Sequence, residues 1–123
     1  MKLQPPPKIA LLVETSRSYG RELLRGVSQF ARTRSDWSLL HQEMTLDAGL
    51  PRRLKSAGIS GIIARLDRRT VEPLKRLGVP VVDVRCSLKN PGVPQVETDD
   101  RAVAELAFEH LRERGFRRFA FCG

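Results

Sequence analysis

A chain of 123 residues is long enough for one ordinary domain and too short for two. Its 41% hydrophobic and 29% charged residues are a globular composition, and one Trp, one Tyr and five Phe leave the core mostly aliphatic. Lys and Arg number 22 against 14 Asp and Glu, a net charge of +8 that raises the question of nucleic acid. The basic residues are scattered, however, over Arg52, Arg53 and Lys55, then Arg65, Arg68 and Arg69, then Lys75 and Arg76, then Arg112, Arg114, Arg117 and Arg118. Most fall near predicted helix ends and connections, where cations are favoured anyway. That distribution predicts a solvated basic surface rather than a stripe that fits a groove.

In chain order, residues 1–7 form a proline-rich tail expected to be extended and poorly ordered. Residues 9–13 are continuously apolar, as in a strand covered on both faces. From Tyr19 to Arg32 the apolar Leu23, Leu24, Val27, Phe30 and Ala31 recur at helical spacing, with Ser16 or Ser18 as the expected cap. Residues 37–41 make a second strand. Leu46, Leu50, Leu54 and Ala57 mark a second helix that Gly58 ends, with Pro51 tolerable only near its first turn. Residues 59–64 are the third strand, and Val71, Leu74 and Leu77 line a third helix closed by Gly78.

A further buried strand follows at residues 79–84, then a loop rich in Pro and Gly from Ser87 to Pro94. A short strand at residues 95–97 leads to Asp99 and Asp100, which suit a helix N-terminus. Val103, Leu106, Ala107 and Leu111 continue as an apolar stripe, Gly115 ends that helix, and residues 119–121 are the expected last strand. Strands alternating with helices of this length predict an α/β fold: a doubly wound, mostly parallel sheet with helices on both faces. The stop at Gly123, directly after a strand, leads us to expect one lobe of something larger.

Several chemistries find no support. There is no GxxxxGK[ST] and no GxGxxG after the first strand. Gly20 and Gly26 lie inside the first helix pattern, where close helix–sheet packing is their expected use. His41 and His110 lack ligand-spaced companions, so no metal site and no cofactor is expected. Neither Ser16 nor Ser18 sits in a GxSxG elbow, and the protein is not expected to be an enzyme. Cys86 and Cys122 have no metal spacing and read as buried or half-buried free thiols suited to a reducing compartment. No signal peptide and no apolar run of ~20 residues is present, so a cytoplasmic protein without a membrane span is expected.

The strand ends carry the chemistry. In an open parallel sheet the loops after the strand carboxyl ends converge on one edge, where ligands bind. That edge would gather Glu14, Ser16 and Tyr19 after the first strand, and Arg65 and Asp67 after the third. Asp83, Arg85 and Cys86 would join them from the fourth, with Thr98 and Asp99 from the fifth. Carboxylates and guanidinium groups pair with hydroxyls, and an aromatic face covers apolar C–H patches, which is what a polyol or sugar needs. The candidate ligand-binding residues are Ser16, Tyr19, Arg65, Asp67, Arg85 and Asp99; Asp99 fits a helix cap equally well.

Two stretches carry a family resemblance. Residues 8–26, KIALLVETSRSYGRELLRG, resemble the opening of the sensing domain of XylR-type xylose-operon regulators. Residues 96–123, VETDDRAVAELAFEHLRERGFRRFAFCG, resemble the matching run of the wider LacI/GalR ligand-binding superfamily. There an Asp-Asn pair opens the helix; here the pair is Asp99-Asp100. The resemblance implies a periplasmic-binding-protein-like effector domain of which residues 8–123 are the N-terminal lobe. It further implies a sugar effector, xylose or a related monosaccharide, and DNA contact only through an AraC-type helix-turn-helix domain beyond this chain. A homodimer is the expected assembly, because relatives of the LacI kind dimerise partly through this lobe. The alternative is a response-regulator receiver domain, for which Asp67 fits. The acidic pair it needs after the first strand is missing, since Thr15 follows Glu14, and no Lys occurs after Lys89.

Overall fold

The computed structural model describes residues 4–43 and 47–123. Four strands, β1 (Lys8–Leu12), β2 (Ser38–Gln42), β3 (Gly61–Ala64) and β4 (Val81–Asp83), form one parallel sheet in the order β2-β1-β3-β4. Helices α1 (Ser18–Arg34), α2 (Leu50–Ser56) and α3 (Val71–Lys75) make the crossovers, and α4 (Asp100–Glu113) follows the last strand. This is the predicted alternation. Leu46, expected on the second helix face, lies outside the described residues.

Successive strand residues point to opposite faces. Ala10, Leu12, Ile62, Ala64 and Val81 therefore share one face, and they pack with Leu50 and Leu54 of α2 and Val71 and Leu74 of α3. Leu11 and Val13 take the other face, where Val13 meets Gly20 of α1. Pro51 stands in the first turn of α2, where its missing N–H costs nothing, and Gly58 closes the helix at φ +67°. Lys8 Nζ donates to the Ala57 carbonyl at 2.8 Å, satisfying one of the acceptors left at that helix end.

Several expectations are corrected. Neither Ser16 nor Ser18 caps α1: Arg17 is the N-cap, and no side chain closes the turn. Pro7, expected in a loose tail, accepts a hydrogen bond from Ser38 N at 2.9 Å and so continues the ladder between β1 and β2. The short strand expected at residues 95–97 is a single bridge between Asp83 and Gln95, flanked by Asp83 N to Pro94 O and Val96 N to Asp83 O, both 2.9 Å. Pro94 has no N–H with which to lengthen it.

Residues 119–121 form no strand. A strand exists only against a neighbour's backbone, and the free edge of β4 is already taken at Asp83 by Pro94 and Val96. None of the residues of α4 is buried, and Val103, Leu106, Phe108, Leu111, Phe116, Phe119 and Phe121 are all exposed. Cys122 is consequently exposed, whereas Cys86 is half-buried as expected. Gly26 is a further correction: a Cβ there would meet nothing within 4 Å, so close packing does not explain it.

Candidate functional site

The carboxyl ends of β1, β3 and β4 open on one edge, and the connection into α4 returns to it. A cleft of about 210 Å³ lies there, lined by Tyr19, Arg65, Val84, Arg85, Cys86, Val96, Glu97, Thr98 and Asp100. Arg65 is its centre. Its Nη1 pairs with Glu14 Oε1 at 2.7 Å, and its guanidinium carbon sits 5.7 Å from the Tyr19 ring centroid. The ion pair is part-exposed and holds geometry more than it adds stability, at most about 1 kcal/mol. Tyr19 in turn donates from its hydroxyl to the Val84 carbonyl at 3.4 Å, so one aromatic ring joins α1 to the ends of β3 and β4. Tyr19 as a residue remains 45% exposed. Arg65 Nε is buried and has no hydrogen-bond partner among the described residues, an unspent donor in the cleft wall.

Directly before the lining residue Val84 comes Asp83, fully buried at the end of β4. Its Oδ1 accepts from Leu66 N at 3.0 Å and Arg85 N at 2.9 Å. Its Oδ2 accepts from Cys86 N at 3.2 Å and Gln95 Nε2 at 2.9 Å. Burial alone would raise its pKa. The Gln95 amide and the three backbone N–H groups outweigh that and hold the carboxyl below its ordinary value. Cys86 behaves oppositely: burial pushes its thiol up, and the carboxylates of Asp83 and Glu97 push it further, so it is no activated nucleophile.

Of the six predicted ligand residues, Tyr19, Arg65 and Arg85 come together on the cleft. The other three lie elsewhere. Ser16 is exposed in the loop before α1 and outside the lining. Asp67 folds back on its own turn, where Oδ1 accepts from Arg69 N, Thr70 N and Thr70 Oγ1, each at 2.9 Å, while Asp67 N donates to Thr70 Oγ1. Burial would raise this carboxyl too, but the Thr70 hydroxyl and the two N–H groups keep it low. Asp99 caps α4 by accepting from Ala102 N at 2.9 Å.

Sequence reasoning missed Glu97 and Asp100 as lining residues and Asp83 as the buried anchor. A signal existed for the last: a carboxylate inside the otherwise apolar run of residues 79–84 has no cheap burial unless donors surround it. For Asp100 the signal was ambiguous, because either member of an acidic pair can cap a helix. A second groove, about 440 Å³ between the first turns of α2 and α3, has walls of Leu50, Pro51, Pro73 and Leu74. Its Asp47 and Thr70 are already paired, with Arg53 at 2.8 Å and with Asp67. Arg69 also lines this groove, but the buried Arg65 Nε, without a partner among the described residues, belongs to the smaller cleft.

Comparison with known proteins gives this edge a context. Residues 8–101 match the family described as the XylR N-terminal domain. The xylose operon regulatory protein of Haemophilus influenzae is 32% identical over 122 residues, which covers 94% of this chain and 31% of that protein. Its counterpart from Escherichia coli K12 is 33% identical over the same length. The chain thus spans about a third of the curated relatives it matches. A solved structure of a xylose-binding transcription activator, xylR, superposes with a TM-score of 0.69 at 30% identity, covering 93% of this chain and 29% of that one. The parallel sheet with its flanking helices is accordingly the α/β lobe of a periplasmic-binding-protein-like fold. Matched by its family across all four strands and their three crossovers and by regulators along nearly its whole length, this chain belongs to the XylR N-terminal domain family.

Proposed function

We propose that the chain is the sugar-sensing lobe of a transcription regulator, and that xylose or a related monosaccharide is its effector. The observation that carries the reading is the Arg65 cluster. In a member of this family, a guanidinium held between Glu14 and the ring of a half-exposed Tyr19 stands at the carboxyl edge of the sheet. Tyr19 would stack on the apolar face of the sugar while Arg65 and Arg85 donate to hydroxyls. Residues 8–123 would supply one wall of the site. A second lobe would supply the other, and a helix-turn-helix domain elsewhere in the regulator would read DNA. Sugar bridging both walls would favour the closed conformer over the open one, and that shift would be the signal. The relatives' names speak of regulation rather than catalysis, which fits a cleft without an activated nucleophile.

Calorimetric titration of a chain of full regulator length with pentoses and hexoses is the test. A pentose should bind, and Tyr19→Ala or Arg65→Ala should each weaken it about tenfold, the loss of one good contact. A folded, DNA-competent protein that gives no heat with any sugar overturns the proposal. The receiver-domain alternative is not favoured, since Asp67 spends its acceptors on Arg69 and Thr70 and the relatives are operon regulators.

Self-association is part of the same proposal. The apolar stripe of α4 is exposed, and such faces pair chains. Light scattering on the 123-residue chain should give a discrete mass of at least twice 13.9 kDa; a monodisperse 13.9 kDa species would count against it.

A further inference from the structure

We propose that the Asp83–Gln95 pair is a positioning strut that presets the width of the cleft, a role that rests on the sugar-sensing reading above. The four donors to Asp83 come from three separate stretches of chain, and each stretch carries a cleft wall. Leu66 directly follows Arg65; Arg85 and Cys86 are wall residues themselves; Gln95 directly precedes Val96. One carboxylate therefore sets the spacing between the connection after β3, the turn after β4 and the approach to α4.

Gln95 extends the device. Its Nε2 also donates to Leu88 O at 3.2 Å, which closes the Pro- and Gly-rich loop onto the same point. Cys86 has φ +56°, a left-handed conformation that is costly for a residue with a Cβ and persists only where its surroundings impose it. The bond from Cys86 N to Asp83 Oδ2 is such an imposition. All four groups facing Asp83 are N–H donors, so a carboxylate serves them and an amide cannot. An asparagine would turn its own NH₂ toward Cys86 N and Gln95 Nε2. Exchanging the carboxylate and the amide between the two positions would re-form the side-chain bond with its donor reversed.

Tyr19 is the chain's single tyrosine, so tyrosine labelled at one ring position gives one NMR signal from the cleft wall itself. That signal is followed in the 123-residue chain, free and during titration with D-xylose to tens of millimolar, for Asp83→Asn, Gln95→Ala and the double variant Asp83→Asn with Gln95→Glu. In folded variants the Tyr19 signal should move without sugar. Xylose affinity should fall about tenfold for Asp83→Asn and about threefold for Gln95→Ala, in keeping with one or two lost hydrogen bonds. The double variant should recover part of both effects, which a loss of bulk stability would not. Unchanged Tyr19 signal and affinity in folded Asp83→Asn and Gln95→Ala overturn the strut, and Gln95→Ala decides the matter if Asp83→Asn does not fold. A wild-type lobe that gives no response to xylose agrees with a site that needs its second wall, and the sensing reading is then decided by the calorimetric titration of the chain of full regulator length. The strut then stands or falls on whether the variants move the Tyr19 signal.

Discussion

Gly20→Ala is expected to destabilise the protein by about 3 kcal/mol and to disorganise the cleft, although alanine is the better helix former by about 1 kcal/mol. Gly20 is buried in the first turn of α1, and a Cβ there would sit on the carbonyl oxygen of Glu14, with the Glu14 carbonyl carbon at 3.1 Å and Val13 Cγ1 at 3.2 Å. The obstacle is backbone and cannot rotate away. To admit a methyl group, α1 must lift from the end of β1. Tyr19, its neighbour in the chain, and Glu14, the partner of Arg65, would move with it. Gly26→Ala is the internal control: with nothing within 4 Å, it should stabilise by up to about 1 kcal/mol. Urea unfolding of both variants, with loss of stability at position 20 and gain at position 26, checks the argument. A neutral Gly20→Ala would contradict the close approach.

Asp83→Ala is expected to cost about 3 kcal/mol at neutral pH, because it strips the acceptor from the buried Leu66 N–H and from three further donors at once. Against a total of roughly 5–15 kcal/mol for an ordinary domain, that is a large share. The effect also has a pH signature. Asp83 is held below its ordinary value of 3.8 in the folded protein, so the folded state favours the ionised form more than the unfolded state does. Its contribution is therefore complete above about pH 4, near the unfolded pKa, and is lost as pH falls through the lower folded value. As pH falls below about 4, wild type should weaken more steeply than Asp83→Ala, measured as urea midpoints. A residual slope should survive in the variant, since Asp67 is shifted in the same direction. Parallel pH profiles for the two proteins would show that Asp83 is not the group responsible.

The association of Arg65 with Tyr19 shows where sequence reasoning reached its limit. That both residues belong to one edge follows from strand order alone, because loops after parallel strands must emerge together. That they touch, with Glu14 as the third member, depends on side-chain directions that no spacing rule supplies. Asp67 illustrates the opposite outcome. It lies on the right edge, but Thr70 three residues on offers a local partner for its carboxylate, and the local bond forms. Asp99 behaves likewise toward Ala102. Short polar side chains next to a helix start are claimed by the backbone before a ligand can use them.

The sequence by itself determined the parallel α/β alternation, because a continuously apolar strand such as residues 9–13 is stable only between two covered faces. It also determined the helix ends at Gly58, Gly78 and Gly115, where positive φ favours glycine because no Cβ crowds the backbone. It placed the candidate site at the carboxyl edge, and through the stretches at residues 8–26 and 96–123 it indicated the family. Only the tertiary structure decided which edge residues line a cleft, that Asp83 underlies three of its walls, and that residues 119–121 have no strand to pair with. The reason is one of range. Periodicity and turn chemistry act over a few neighbours, whereas a hydrogen bond such as Leu66 N to Asp83 or a contact such as Arg65 to Tyr19 joins residues 17 and 46 positions apart, and it exists only once the sheet has brought them together.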